Sequence, residues 1–105
     1  MEYSIKEIVG IIGAKANNLQ DSTISILLTD SRRLSFPEQS LFFALKTKTN
    51  DGHRYIKELY KLRVRNFVVS DMLPEFESLQ DANFLVVKDT LKALQKLAAY
   101  HRKRF

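Results

Sequence analysis

Two short polar segments hold most of the side chains with which this chain could grip a ligand. The first is Thr29-Asp30-Ser31-Arg32 and the second is Lys46-Thr47-Lys48-Thr49-Asn50. Together they offer hydroxyls from Thr29, Ser31 and Thr49, an amide from Asn50, and cations from Arg32, Lys46 and Lys48. That set suits a base or sugar with a diphosphate nearby, because hydroxyls and amides fix orientation while Arg and Lys offset negative charge. The competing reading is two polar loops on a solvated edge. Other chemistries find less support. Asp30 and Asp51 could be paired as acid and base, but both stand among turn-forming neighbours that favour turn and cap roles. The three glycines, Gly10, Gly13 and Gly52, cannot make a P-loop or a dinucleotide fingerprint. Cysteine is absent and the two histidines, His53 and His101, are far apart in sequence, so no metal site is expected. No catalytic centre is expected either.

The elements that must position these loops follow from periodicity. Ser4-Ile5-Lys6-Glu7 has capping-box spacing, Ile5, Ile8, Val9 and Ile12 recur at helical intervals, and Gly13 is a natural stop. A helix over residues 4–13 is predicted. Thr23 to Leu28 reads as a strand that the turn Thr29–Arg32 ends, and Leu41 to Leu45 as a strand buried on both faces. After the polar segment, Asn50 or Asp51 can cap a helix with Tyr55, Ile56, Leu59 and Tyr60 inward. Phe67 to Val69 and Phe84 to Val87 are further strands, with one helical turn expected over Pro74 to Leu79. Thr90 is expected to cap a last helix whose inner side is Leu91, Leu94, Leu97 and Ala98.

The order predicts an α/β fold: a small mixed sheet of about four strands, packed with helices and holding at least one parallel pair. If the first two strands lie side by side and parallel, both polar segments leave the same edge. Ligands favour that edge in open α/β sheets.

At 105 residues the chain is a single domain by size. Its net charge of +5 and pI near 9.6 make an anionic partner plausible. The cluster His101-Arg102-Lys103-Arg104 invites a nucleic-acid reading, yet a helix C-terminus favours cations without any partner. No aromatic residues interleave with it to stack bases, so nucleic acid is not expected as a partner. A third alternative is an interaction domain docking through its sheet edge or its last helix. No segment nears the roughly 18 apolar residues of a membrane span, and the N-terminus lacks a signal-peptide layout. Membrane insertion is not expected and a cytoplasmic location is.

Four motifs in order carry a family likeness. They are Leu28-Thr29-Asp30-Ser31-Arg32, then Pro37 with Leu41-Phe42-Phe43-Ala44-Leu45-Lys46, then Asp51-Gly52-His53-Arg54-Tyr55-Ile56, and finally Phe84 to Leu94 with Ala98 and Arg102. This resembles the opening domain of the Mur ligases, ATP-dependent enzymes that add amino acids to UDP-N-acetylmuramic acid. The last motif is most similar to members that add D-alanyl-D-alanine to the UDP-muramoyl-tripeptide, including forms fused to an alanine racemase. Members that add the third amino acid are the alternative.

The resemblance implies that this domain holds the UDP part of a UDP-N-acetylmuramoyl-peptide. It matches Ser31 to a uridine-contacting serine, within Thr29–Arg32, and Thr47-Lys48-Thr49-Asn50 to a second uridine-contacting stretch beside Lys46. ATP and magnesium would belong to a central domain, the chain's expected partner in a full-length parent, so none is expected here. The chain alone, without ATP-binding and C-terminal domains, is expected to be inactive. Two family glycines are replaced, one by Thr47 and one by Arg63. A left-handed Arg63 would cost about 1–2 kcal/mol.

Overall fold

The computed structural model describes residues 2–16, 19–30 and 34–104. The first helix forms as its sequence dictates. In α1 (Ile5–Ile12) the Ser4 hydroxyl accepts the Glu7 N–H at 3.1 Å, and the Glu7 carboxylate accepts the Ser4 N–H at 3.2 Å. Gly13 closes the helix in the left-handed region, φ 65°, where a side chain would be strained.

Tyr3–Ser4, just before α1, is a short strand β1 that sequence reasoning did not find. It pairs antiparallel with β2 (Thr23–Ile24). The single strand expected over Thr23–Leu28 is therefore two. At Ser25 the chain leaves β2, the Ser25 N–H bonding the Gln39 carbonyl at 2.9 Å, and β3 (Ile26–Leu28) joins a different sheet. That sheet runs β3, β4 (Ser40–Phe43), β5 (Asn66–Val69), β6 (Asn83–Val86). Every pair in it is parallel. The mixed sheet expected is thus resolved into a parallel four-stranded sheet and a separate antiparallel pair.

The remaining helices are α2 (Ile56–Lys61), entered through a 3-10 turn at Gly52–Tyr55, and α3 (Thr90–Arg104). A 3-10 helix at Pro74–Ser78 fills the place of the predicted helical turn. Alternation along β4 divides the core. Leu41 and Phe43 face α1 and α3 with Ile5, Ile8, Val68, Leu85 and Leu97. Phe42 and Ala44 face α2 with Ile56, Leu59, Phe67 and Phe84. This three-layer packing buries β4 on both faces, as its apolar run requires.

Two details of α3 differ from the sequence reading. Asp89, not Thr90, caps it: the Asp89 carboxylate accepts the Lys92 N–H at 3.1 Å and its carbonyl accepts from Ala93. The Thr90 hydroxyl instead donates to the Ala44 carbonyl at 2.9 Å, in the interior. That bond turns the helix so that Thr90, Ala93 and Leu97 are buried, with Leu94 partly so. Leu91 is half exposed and Ala98 is exposed.

At the end of α2, Arg63 has φ 77°. Its N–H bonds Tyr60 and that of Val64 bonds Leu59, both at 3.0 Å. This is a Schellman stop with arginine where glycine is unstrained. At the opposite edge of the sheet from the C-terminal loops, buried Asn83 donates to Asn66 Oδ1 at 2.8 Å and to the Gln20 carbonyl at 2.9 Å. Gln20 returns its N–H to Asn83 Oδ1 at 2.8 Å. The pair stitches β5 and β6 to the segment before β2.

Candidate functional site

Because β3 and β4 are parallel, with Leu28 beside Phe42, both predicted segments leave the C-terminal edge of the sheet together. Thr29 and Asp30 are exposed directly beyond β3. Ser31 and Arg32 lie outside the described residues. Lys46, Thr47, Lys48, Thr49 and Asn50 are all exposed beyond β4. The structure therefore brings Thr29 and Asp30 to the same edge as the whole second segment.

The second segment is a closed turn. Lys46 and Asp51 form an isolated antiparallel bridge, and the Thr47 N–H bonds the Asn50 carbonyl at 2.7 Å. The Thr47 hydroxyl accepts the Asn50 N–H at 3.1 Å and lies 3.2 Å from the Asn50 carbonyl, to which it donates. Thr47 thus closes the turn through its hydroxyl. Tyr55 donates its hydroxyl to Asn50 Oδ1 at 3.2 Å. Lys48 and Thr49 make no side-chain bond within the turn among the described residues.

Two residues missed as site components hold this turn in place. Gly52 sits against β4: a Cβ there would lie 2.8 Å from the Leu45 nitrogen and 2.9 Å from the Ala44 Cα. Only glycine permits that approach, which its N–H completes by bonding the Leu45 carbonyl at 2.7 Å. His53 is 3% exposed. Its Nε2 accepts the backbone N–H groups of Ser70 and Asp71 at 3.1 and 3.2 Å, which leaves the ring proton on Nδ1. Nδ1 donates to Asp51 Oδ1 at 2.6 Å. The imidazole therefore fastens the loop after β4 to the loop after β5. Asp51-Gly52-His53 was visible as a motif, but its partners at Ser70 and Asp71 depend on the β4–β5 pairing.

Electrostatics reinforce the staple. Partial burial works against the Asp51 carboxylate, but the hydrogen bonds it accepts from the His53 ring and the His53 backbone N–H, with the Lys46 charge nearby, outweigh it. Its pKa lies below the ordinary carboxylate range. Asp51 is the cap of the 3-10 turn, its carboxylate accepting the His53 N–H at 3.0 Å, the cap role that its turn-forming neighbours favour over an acid–base one. Lys46 reaches Asp71 at 3.5 Å across the same two loops, an exposed pair of small energetic value.

Two members of the C-terminal basic cluster pack against Tyr3. His101 Nδ1 meets the Tyr3 hydroxyl at 2.9 Å, and the Arg104 guanidinium lies 5.4 Å from the Tyr3 ring centroid. Among the described residues, no helix is long and apolar enough to cross a membrane.

Comparison with known proteins sets this geometry in a class. No protein-family model matches the chain. Over 79 residues, 75% of its length, the chain is 32% identical to the UDP-N-acetylmuramoyl-L-alanyl-D-glutamate–2,6-diaminopimelate ligase of Cytophaga hutchinsonii. It spans 16% of that relative's own length. A crystal structure of MurF from Acinetobacter baumannii superposes on 99% of the chain with a TM-score of 0.81 at 24% identity. The UDP-N-acetylmuramoylalanyl-D-glutamyl-2,6-diaminopimelate–D-alanyl-D-alanyl ligase from the same organism gives a TM-score of 0.83, also at 24% identity. In both cases 22% of the solved chain is covered.

The fold is Mur ligase N-terminal-like. Of these proteins, one solved structure is by name a D-alanyl-D-alanyl ligase, and the curated relative is by name a 2,6-diaminopimelate ligase.

Proposed function

We propose that this chain is the UDP-substrate-holding domain of a peptidoglycan-synthesis Mur ligase, one that adds D-alanyl-D-alanine to a UDP-N-acetylmuramoyl-tripeptide. The observation that carries the reading is the parallel β3–β4 pair, which sets Thr29 and Asp30 beside Lys46–Asn50 on one sheet edge. A uridine held there would meet the Asn50 amide and the Thr29 and Thr49 hydroxyls. Lys46 and Lys48 would face its diphosphate. Ser31 and Arg32 complete the set by their place in the sequence. The His53 staple holds the base of the Lys46–Asn50 turn, so less ordering entropy is lost there on binding.

ATP and magnesium belong, on this reading, to a central domain of a longer parent. Three glycines leave this chain without a phosphate-cradling loop, and no step of acyl transfer is assigned to its residues. The Val87-to-Leu94 wording favours the D-alanyl-D-alanine step over addition of the third amino acid.

The test is an affinity comparison by calorimetry among UDP-N-acetylmuramoyl-tripeptide, UDP and a short DNA duplex, each at two salt concentrations. Binding of the first two with weak salt dependence is expected. Preference for the duplex, falling steeply with salt, would replace this reading with a nucleic-acid one.

A further inference from the structure

The buried imidazole of His53 has both ring nitrogens engaged. Nδ1 donates to Asp51 Oδ1 at 2.6 Å. Nε2 accepts the N–H groups of Ser70 and Asp71 at 3.1 and 3.2 Å. Two donors converging on Nε2 require that nitrogen to be unprotonated, since a proton there would oppose N–H to N–H with no acceptor between them. The ring therefore joins the loop after β4 to the loop after β5 only while it is neutral.

The charges around the ring leave a proton on Nε2 without a partner. Asp51, in the 3-10 turn, favours a charged imidazole but is bound on the Nδ1 side. Beyond β4 stands Lys46, whose ammonium lies 3.5 Å from the Asp71 carboxylate beyond β5. Arg54, the next residue of the turn, lies over the Tyr55 ring. In α2, Lys57 pairs with Glu75 and Glu58 is exposed. Before α3, Asp89 accepts the Lys92 N–H and Lys88 is exposed. Among the described residues, no side-chain acceptor is bonded to Nε2.

We infer that His53 is an acid-released latch: proton uptake at Nε2 unfastens the loop after β5 from the loop after β4. Once the loops part, the ring meets water, where an imidazole titrates at roughly 6.5. The open form therefore holds the extra proton, and linkage fixes the sign. The latch is shut above that pH, and below it the open population grows about tenfold per pH unit. Among the described residues, the exposed Lys46–Asp71 pair still spans the two loops, and such a pair is weak. The Lys46–Asn50 turn keeps its own bonds, Thr47 to Asn50 and Gly52 to the Leu45 carbonyl, so release uncouples the loops without unfolding that turn. Any effect on a ligand at this edge rests on the uridine reading, whereas the latch itself does not.

The test is an NMR pH series on the chain without ligand, from about pH 8 to about pH 5. Ring nitrogen shifts report the tautomer of each histidine. Amide exchange with solvent, corrected for its intrinsic pH dependence, reports the loops. His53 is expected as the Nδ1–H tautomer at the upper end. Protection of the Ser70 and Asp71 amides should fall about tenfold per unit below roughly pH 6, while Phe67 and Leu85 in the core strands keep theirs. The variant H101Q, which deletes the other histidine, should show the same slope. An Nε2–H tautomer, or protection at Ser70 and Asp71 that stays flat down to about pH 5, would overturn the latch. So would a slope that vanishes in H101Q, or one shared equally by the core strands. The parent chain carries the measurement, so nothing depends on a His53 variant folding. No uridine ligand takes part, so the latch and the substrate reading fail separately.

Discussion

Replacing His53 by phenylalanine keeps a ring of similar size in a buried position and deletes the staple between the two loops. Three hydrogen bonds go: the 2.6 Å bond to Asp51 and the 3.1 and 3.2 Å bonds from Ser70 and Asp71. Each is worth about 1 kcal/mol net, and one to a carboxylate somewhat more. Ser70 and Asp71 are partly or fully exposed, so water can recover some of their N–H groups. A loss of about 2–3 kcal/mol follows, a large share of the roughly 5–15 kcal/mol typical of a domain. In a domain of this size that lowers Tm by roughly 10–20 °C. Urea denaturation with an unchanged m-value measures the loss. Native-state amide exchange then locates it, since Ser70, Asp71 and Gly52 should lose protection before the core strands. Stability within about 0.5 kcal/mol of the parent would refute the staple. So would a loss of stability with the Ser70 and Asp71 amides as protected as before.

Other changes probe neighbouring parts of the account. Gly52→Ala drives a Cβ into the backbone of Ala44 and Leu45, which cannot swing away, so about 1–3 kcal/mol should be lost in thermal denaturation. Arg63→Gly should instead stabilise by about 1 kcal/mol, because relief of the left-handed strain exceeds the entropy of the added glycine. Asp51 has a folded-state pKa below its unfolded value, so its contribution is present above the ordinary carboxylate range and is lost as pH falls through it. Asp51→Asn should therefore flatten the acid limb of a stability-against-pH curve, leaving the parent the more stable only above that limb. Thr90→Val removes a buried bond to Ala44 and strands its carbonyl, costing about 1–2 kcal/mol in urea denaturation.

What the sequence disclosed follows from how local each signal is. The Ser4–Glu7 box and Gly13 specify α1 within a few residues, and the structure keeps both ends. The Leu41–Leu45 run could be read as buried on both faces because no polar residue interrupts it. Arg63 could be placed in the left-handed region from the family's glycine at that position. Signals that depend on distant partners were not legible. Tyr3–Ser4 is a strand only because Thr23–Ile24 lies beside it. Thr90 has the chemistry of a cap, but the Ala44 carbonyl, 46 residues away, claims its hydroxyl and leaves capping to Asp89. The same bond sets the rotation of α3, so the buried stripe starts one position before the leucines. At the candidate site, the loops were legible as polar segments after apolar runs. That Thr47 closes its own turn, and that His53 holds two N–H groups of the next loop, required the strand order.

The central claim is that a uridine diphosphate sugar is held on the β3–β4 edge, and amide shift mapping with UDP-N-acetylmuramoyl-tripeptide tests it most directly. The account predicts saturable shifts confined to Thr29–Arg32 and Lys46–Gly52, reproduced in part by UDP, with ATP leaving those amides in place. Saturable shifts elsewhere on the sheet, or equal shifts from all three ligands that fade with salt, would contradict it.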